Sequence, residues 1–241
     1  MNLEKHFEFT GETKVFCGIT LKRIRASISF GMIAKGEVGG WVEKESNLSG
    51  NAWIYDDAHV YGNAQVSDNA CVYGNTHVFG NAQVSGDAYV YGNAYVYVDA
   101  RVSGNARVSG NACVSGNARV FGDAQVSDNA QVSGNAQVYG NARVFGDARV
   151  SDNAWVSGDA QVYGDARVSG DAQVSDNARV SGNAQVYGNA WVYGNAQVYG
   201  NAWVYGNAWV SGNAQVYGDA RVSGGSYLML MRIYRNRVYL S

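Results

Sequence analysis

The sequence predicts an all-β protein, a single-stranded triangular β-helix (solenoid) of about 10 coils with 18 residues per coil and a small β cap at each end. Three observations carry that expectation. Alanine recurs at every sixth residue from Ala52 to Ala220, interrupted only at Thr76. Two positions further on stands Ile54, then Val at every step from Val60 to Val222. Between successive units lies a corner, usually Gly followed by Asn or Asp, and no residue is inserted anywhere in the array.

In an extended chain, residues two apart point the same way. Ala and Val therefore face inward, while the residue between them and the Ser, Tyr or Phe after Val face outward. Gly and Asn or Asp tolerate the left-handed backbone that a sharp corner needs. Three strand-and-corner units close a triangle, so residue n lies under residue n+18, and strands ~4.8 Å apart give a prism roughly 45–50 Å long. A helical reading fails, because period six spreads Val around a 3.6-residue spiral and places Gly in almost every second turn. The chain has no Pro, as a fold that uses its strand amides in ladders requires.

Taken in order, residues 1–40 read as an N-terminal β cap, 41–223 as the hexapeptide array and 224–241 as a short C-terminal cap. In the first, Phe7 to Phe9, Lys14 to Cys17 and Ile19 to Ala26 read as strands, with turns at Gly11 and Gly18, in a sheet lying over the first coil. Within the array, Val98 replaces a corner Gly, and Asp68, Asp128, Asp152 and Asp176 do the same. In the last, Tyr227 to Tyr234 and Arg237 to Leu240 read as a hairpin turning at Arg235 and Asn236.

An aliphatic residue followed four positions later by a small one, as in Val66 to Ala70, resembles the hexapeptide-repeat, left-handed β-helix proteins. The start of the array, Gly39-Gly40-Trp41-Val42-Glu43, then Asn47-Leu48-Ser49 and Trp53-Ile54-Tyr55-Asp56, is similar to bacterial and phage members of uncharacterised function. Polymer-forming bactofilin-type proteins are a more distant likeness and coil with the opposite hand. The resemblance implies a left-handed coil and a bacterial or phage source, and it implies no activity. Many hexapeptide-repeat proteins are trimeric acyltransferases with a histidine base and a loop extruded from one coil; this array has no such loop.

Charge is divided unevenly. The array carries eight Arg against fourteen Asp, residues 1–45 carry a net +1, and residues 224–241 carry +3. Duplex DNA of the same length carries ~28 negative charges, so the array is too weakly acidic to imitate DNA, and it is not basic enough to bind it. Cys17, Cys71 and Cys113 are an odd set, with Cys71 and Cys113 outward on different sides and more than two coils apart, beyond disulfide reach. That usage, with no charged-then-apolar leader and no apolar run long enough to span a bilayer, gives the expectation of a cytoplasmic protein without membrane or nucleic-acid partners.

No catalytic set, metal site or cofactor is assigned, and the candidates are few. His59 and His77 are 18 apart and stack on one side, with Asp57 at the corner before them; they are the candidate base of an acyltransferase. Asp147 and Asp165 are direct neighbours in one corner column and are the best place for a cation, while Asn between Asp87, Asp123 and Asp159 keeps like charges apart. Trp191, Tyr193, Trp203, Tyr205 and Trp209 form an aromatic belt suited to sugar rings or a protein face, and Trp53, Tyr55, Tyr73, Tyr89 and Tyr91 form a second cluster near the start. Ice binding would want Thr at the outward positions, which hold Ser, Tyr, Arg and Gln instead. The reading that follows is a non-enzymatic scaffold displaying flat faces for self-association or for a protein or glycan partner.

Overall fold

The computed structural model describes residues 5–229, 231–234 and 237–240. Each hexad folds into a two-residue strand, the outward residue and its Val, and the strands stack into sheets of 13, 12 and 10 strands that form the three sides of a parallel β-solenoid. Register is n to n+18 throughout the array, as in His59 opposite His77 and Trp191 opposite Trp209. Every Val two positions after the array Ala or Thr76, from Val60 to Val216, is fully buried, as is every array Ala, while Val98 at its corner is exposed. The lumen is thus a single column of small apolar side chains, in which each Val contributes about 1.5–3 kcal/mol. The first face begins at β3 (Val38–Val42) and carries His59 and His77; the second begins at Trp53 and the third at Gln65.

The corners hold together by two devices. In the first, Asn side chains form ladders along the solenoid, Nδ2 of the earlier coil donating to Oδ1 of the later one, as from Asn111 to Asn129 at 3.0 Å. Direction is set chemically wherever Asp is reached, because a carboxylate only accepts: Asn69 donates to Asp87, Asn129 to Asp147 and Asn141 to Asp159, all at 2.9 Å. Each such Asp ends a run. In the second device, Asp56, Asp68, Asp128, Asp152 and Asp176 occupy the positive-φ corner position (φ 52 to 60°) that elsewhere belongs to Gly, and each carboxylate accepts the N–H of the corner Gly one coil on. The charge-assisted bond offsets the backbone strain. Asp152→Gly is therefore expected to be near neutral, while Asp152→Ala, which keeps the strain and loses the bond, costs about 1–2 kcal/mol in urea unfolding. Equal midpoints for the two variants would contradict this account.

The N-terminal segment departs from the expectation in three ways. β1 (Phe7–Phe16) is one strand, with Gly11 at a register shift between Phe9 and Thr13 rather than at a turn. The turn to β2 (Ile19–Ala26) uses Cys17 and Gly18, both at positive φ. β1 and β2 are antiparallel and join β3 on the first face, so this sheet continues one side of the solenoid and its turn end folds back over that side. At this end of the lumen the buried Ile24 and Trp53 come together over Gly39 and join the core cluster. Gly39 and Gly40 make this packing possible: a Cβ on Gly40 would lie 2.6 Å from Ile54 Cγ2 and 2.8 Å from the Ala58 carbonyl oxygen.

At the other end the coil pattern outlasts the hexads. Tyr227–Met229 continues the third face, with Leu228 opposite Val210, and Met231–Tyr234 continues the second, with Ile233 opposite Val216. The expected single strand over 227–234 is thus split between two faces. Arg237–Leu240 pairs antiparallel with Met231–Tyr234; the expected turn residues Arg235 and Asn236 lie outside the described residues.

Candidate functional site

His59 and His77 do face outward from the lumen, yet they are buried, 6% and 9% exposed, because Phe16 at the turn end of β1 lies over them. Ring centroids are 4.6 Å from Phe16 to His59, 5.0 Å from Phe16 to His77 and 4.7 Å between the two histidines. His77 stacks in turn on Tyr95 at 5.0 Å. Both nitrogens of His59 and Nδ1 of His77 are buried without a hydrogen-bond partner. Burial holds the His59 imidazole down to about 4, helped by the positive charge of Lys14, and the same two causes lower His77. The pair therefore sits neutral at pH 7, as two more rings in an aromatic column.

Asp57 does not serve these histidines as a hydrogen-bond partner. Its Oδ1 accepts from Trp41 Nε1 at 3.2 Å and lies 3.7 Å from Lys14 Nζ, which is itself 4.1 Å from the Trp41 ring centroid. The Trp41 bond is the main reason the carboxyl is held below its usual range. The arrangement clamps β1 and β3 to the first corner. It sets two buried neutral imidazoles beside an ammonium and a solvent-exposed carboxylate at the edge of a packed contact, which is how a docking contact looks.

Asp147 and Asp165 are neighbours in their column, with Asp147 accepting from Asn129, and no group of three or more His, Cys, Asp or Glu converges among the described residues. The C-terminal aromatics do form columns. Trp191 and Trp209 stack at 5.0 Å and 3° on the third face, both more than a third exposed, and Trp209 continues to Tyr227 at 5.8 Å. Tyr193 and Tyr227 share a hydroxyl contact of 3.3 Å. On the first face Tyr187 stacks on Tyr205 at 5.2 Å and meets Trp203 edge-on, with the Arg221 guanidinium over the Trp203 ring. Tyr199 and Tyr217 stack on the second face, so the last coils present aromatic columns on all three sides.

The other aromatic cluster is not a flat display. Trp53 is buried, with Phe30 edge-on at 5.6 Å, and the loop containing Phe30 to Ile33 stands over the second face to form a groove of about 590 Å³. Nothing in the period marks this groove. Its only sequence signal is the run Phe30-Gly31-Met32-Ile33 inside a cap that the repeat does not describe.

These features define a parallel β-solenoid repeat protein with non-repetitive strands at both ends. A family model described as the YdcK beta solenoid repeat matches residues 64–80, 100–115, 112–128, 124–138, 136–151, 160–172, 172–186, 184–196, 196–212 and 214–227. Those segments cover more than half of the chain, which belongs to that family. A search of curated proteins finds no match. No helix among the described residues is long and apolar enough to cross a membrane.

Proposed function

We propose that the protein is a non-enzymatic display scaffold, a rigid prism whose aromatic columns engage a second copy or a partner. The observation that carries this reading is the pairing of an uninterrupted array with outward ring stacks on all three sides of the last coils, half-buried on two of them and solvent-exposed at Trp191 and Trp209. Flat exposed aromatic surface is the material of interaction faces. The buried, neutral state of His59 and His77 supports a structural part for the pair in place of a general base. The three free cysteines support a reducing, cytoplasmic setting.

Light scattering over a wide concentration range tests the proposal, with Trp191→Ala/Trp209→Ala as the comparison. A mass that climbs with concentration in the native chain and stays constant in the variant is the expected result. A concentration-independent trimer that turns over acetyl-CoA would replace this reading with an acyltransferase. Stacked Trp also suits sugar rings, and Trp fluorescence quenching across an oligosaccharide panel separates a glycan partner from a protein one.

A further inference from the structure

The groove on the second face runs across that side from one corner to the next. Its floor is aromatic, with Trp53, Tyr55, Tyr73 and Tyr89, and Met32 and Phe30 stand on the loop above. Its polar groups lie at the two rims. Asn51, Asn69 and Asp87 occupy the corner before the face, and Asp56 occupies the corner after it. No Lys, Arg or His lines it. The nearest cation in the same outward column, Arg107, follows Tyr89 on the next coil and lines an adjoining hollow with Tyr91 that shares Tyr73 and Tyr89 with the groove.

Each rim has acceptor capacity to spare. Asp56 Oδ2 takes the Gly74 N–H and Asp87 Oδ1 takes the Asn69 amide, which leaves the second oxygen of each carboxylate for another donor. The ladder direction adds a third acceptor. Because Asn side chains donate toward later coils, each corner column begins with an acceptor that needs a donor from outside. The start of the array supplies such a donor to two of the columns, Trp41 Nε1 to Asp57 and Lys44 Nζ to Asn63. The remaining column begins at Asn51, whose Nδ2 donates to Asn69 and whose Oδ1 meets no donor among the described residues. That column opens at the groove.

The electrostatics agree with the geometry. Burial first, and then acidic groups that include Glu37 and Asp56, pushes the Tyr55 phenol up to about 12, and burial with Asp87 raises the Cys71 thiol. The smaller contribution to each shift comes from carboxylates, Asp56 for Tyr55 and Asp87 for Cys71, and that part has the sign that favours a cation.

We propose that this groove binds a small linear organic dication, such as a polyamine, with one ammonium at Asp87, the other at Asp56, and the alkyl stem running diagonally across the tyrosines. Size and spacing fit. A volume of about 590 Å³ lies in the range of small-molecule sites. Five residues from Asn51 to Asp56 span about 16 Å across the face and Asp87 lies two coils further on, about 10 Å along the axis, so the two carboxylates are about 19 Å apart and leave about 13 Å between head groups after a hydrogen bond at each end. An apolar stem over tyrosine faces adds dispersion, and the ammoniums add cation–π attraction. The site goes beyond the scaffold reading and does not depend on self-association.

The test is calorimetric titration with 1,10-diaminodecane, decylamine and decane-1,10-diol. The diamine is expected to bind, with the monoamine at least tenfold weaker and the diol undetectable. Asp56→Asn/Asp87→Asn removes both charges with little change of structure: Asn tolerates the left-handed corner and keeps an oxygen for Gly74, and Asn is the usual residue in the column of Asp87. This double variant should keep the native melting temperature and lose at least tenfold in affinity. Diol binding as tight as diamine binding, an unchanged affinity in the variant, or no diamine binding at millimolar concentration would each overturn the proposal. Light scattering of the same samples reports self-association separately.

Discussion

Acidification from pH 7 to pH 4 should detach the β1–β2 hairpin from the first face before the array unfolds. The contact that holds its turn end is Phe16 against His59 and His77, whose buried ring nitrogens have nothing to pair a new proton with. The charges facing them are Lys14 from β1 and Asp57 at the corner, and Asp57 is already engaged by Trp41 and Lys14. His59 is held down from 6.5 to about 4 by burial, so between those values the detached form binds more protons than the docked one. Docking stability is therefore complete above pH ~6.5, falls as pH drops through the window, and has lost on the order of 3 kcal/mol by pH 4 from His59 alone. His77 shifts in the same direction and adds to the loss. Urea unfolding of the native chain and of His59→Phe/His77→Phe over pH 7 to 4 isolates the histidines from the many surface carboxylates, which both proteins share. The variant should lack the steep fall between 6.5 and 4; identical pH profiles would remove the histidines from the account.

A single charge in the lumen should cut the solenoid in two. Val138 is fully buried and stacks between Val120 and Val156, with only alanines and valines around it in the lumen. Val138→Asp leaves a carboxylate with no partner in a column of apolar side chains and costs about 3–5 kcal/mol. Because each coil contacts only its neighbours, stability is close to a sum of coil and interface contributions, and a defect that severe uncouples the coils before it from those after it. Calorimetry should resolve two transitions in place of one, and hydrogen exchange should show the loss of protection centred on residue 138. Gln137→Asp, one residue away and pointing outward, should stay within about 0.5 kcal/mol of the native chain. One transition at an unchanged midpoint for Val138→Asp would show that the lumen is not the source of cooperativity.

The two experiments probe parts of the molecule that were unequally legible. Val138 could be placed in the lumen from the period alone, together with its partners at 120 and 156. So could the stacking of Trp191 on Trp209 and the succession of His59 and His77. The burial of those histidines could not, nor could that of Trp53, which reads as an outward aromatic and lies beneath Phe30. The direction of the Asn ladders was implicit in the acceptor-only chemistry of Asp87, Asp147 and Asp159, but it needed the side-chain geometry to show which neighbour each Asn serves.

The reason is the same in each case. A six-residue repeat determines by itself which residues face in, which face out and which lie at n±18, because every unit has the same local geometry and the next coil is its own copy. What lies over an outward residue is decided by contacts with segments outside the repeat. Phe16 reaches His59 across 43 positions of sequence and Phe30 reaches Trp53 across 23. No period relates those positions, so the covered histidines and the groove under Phe30 to Ile33 exist only in the tertiary structure.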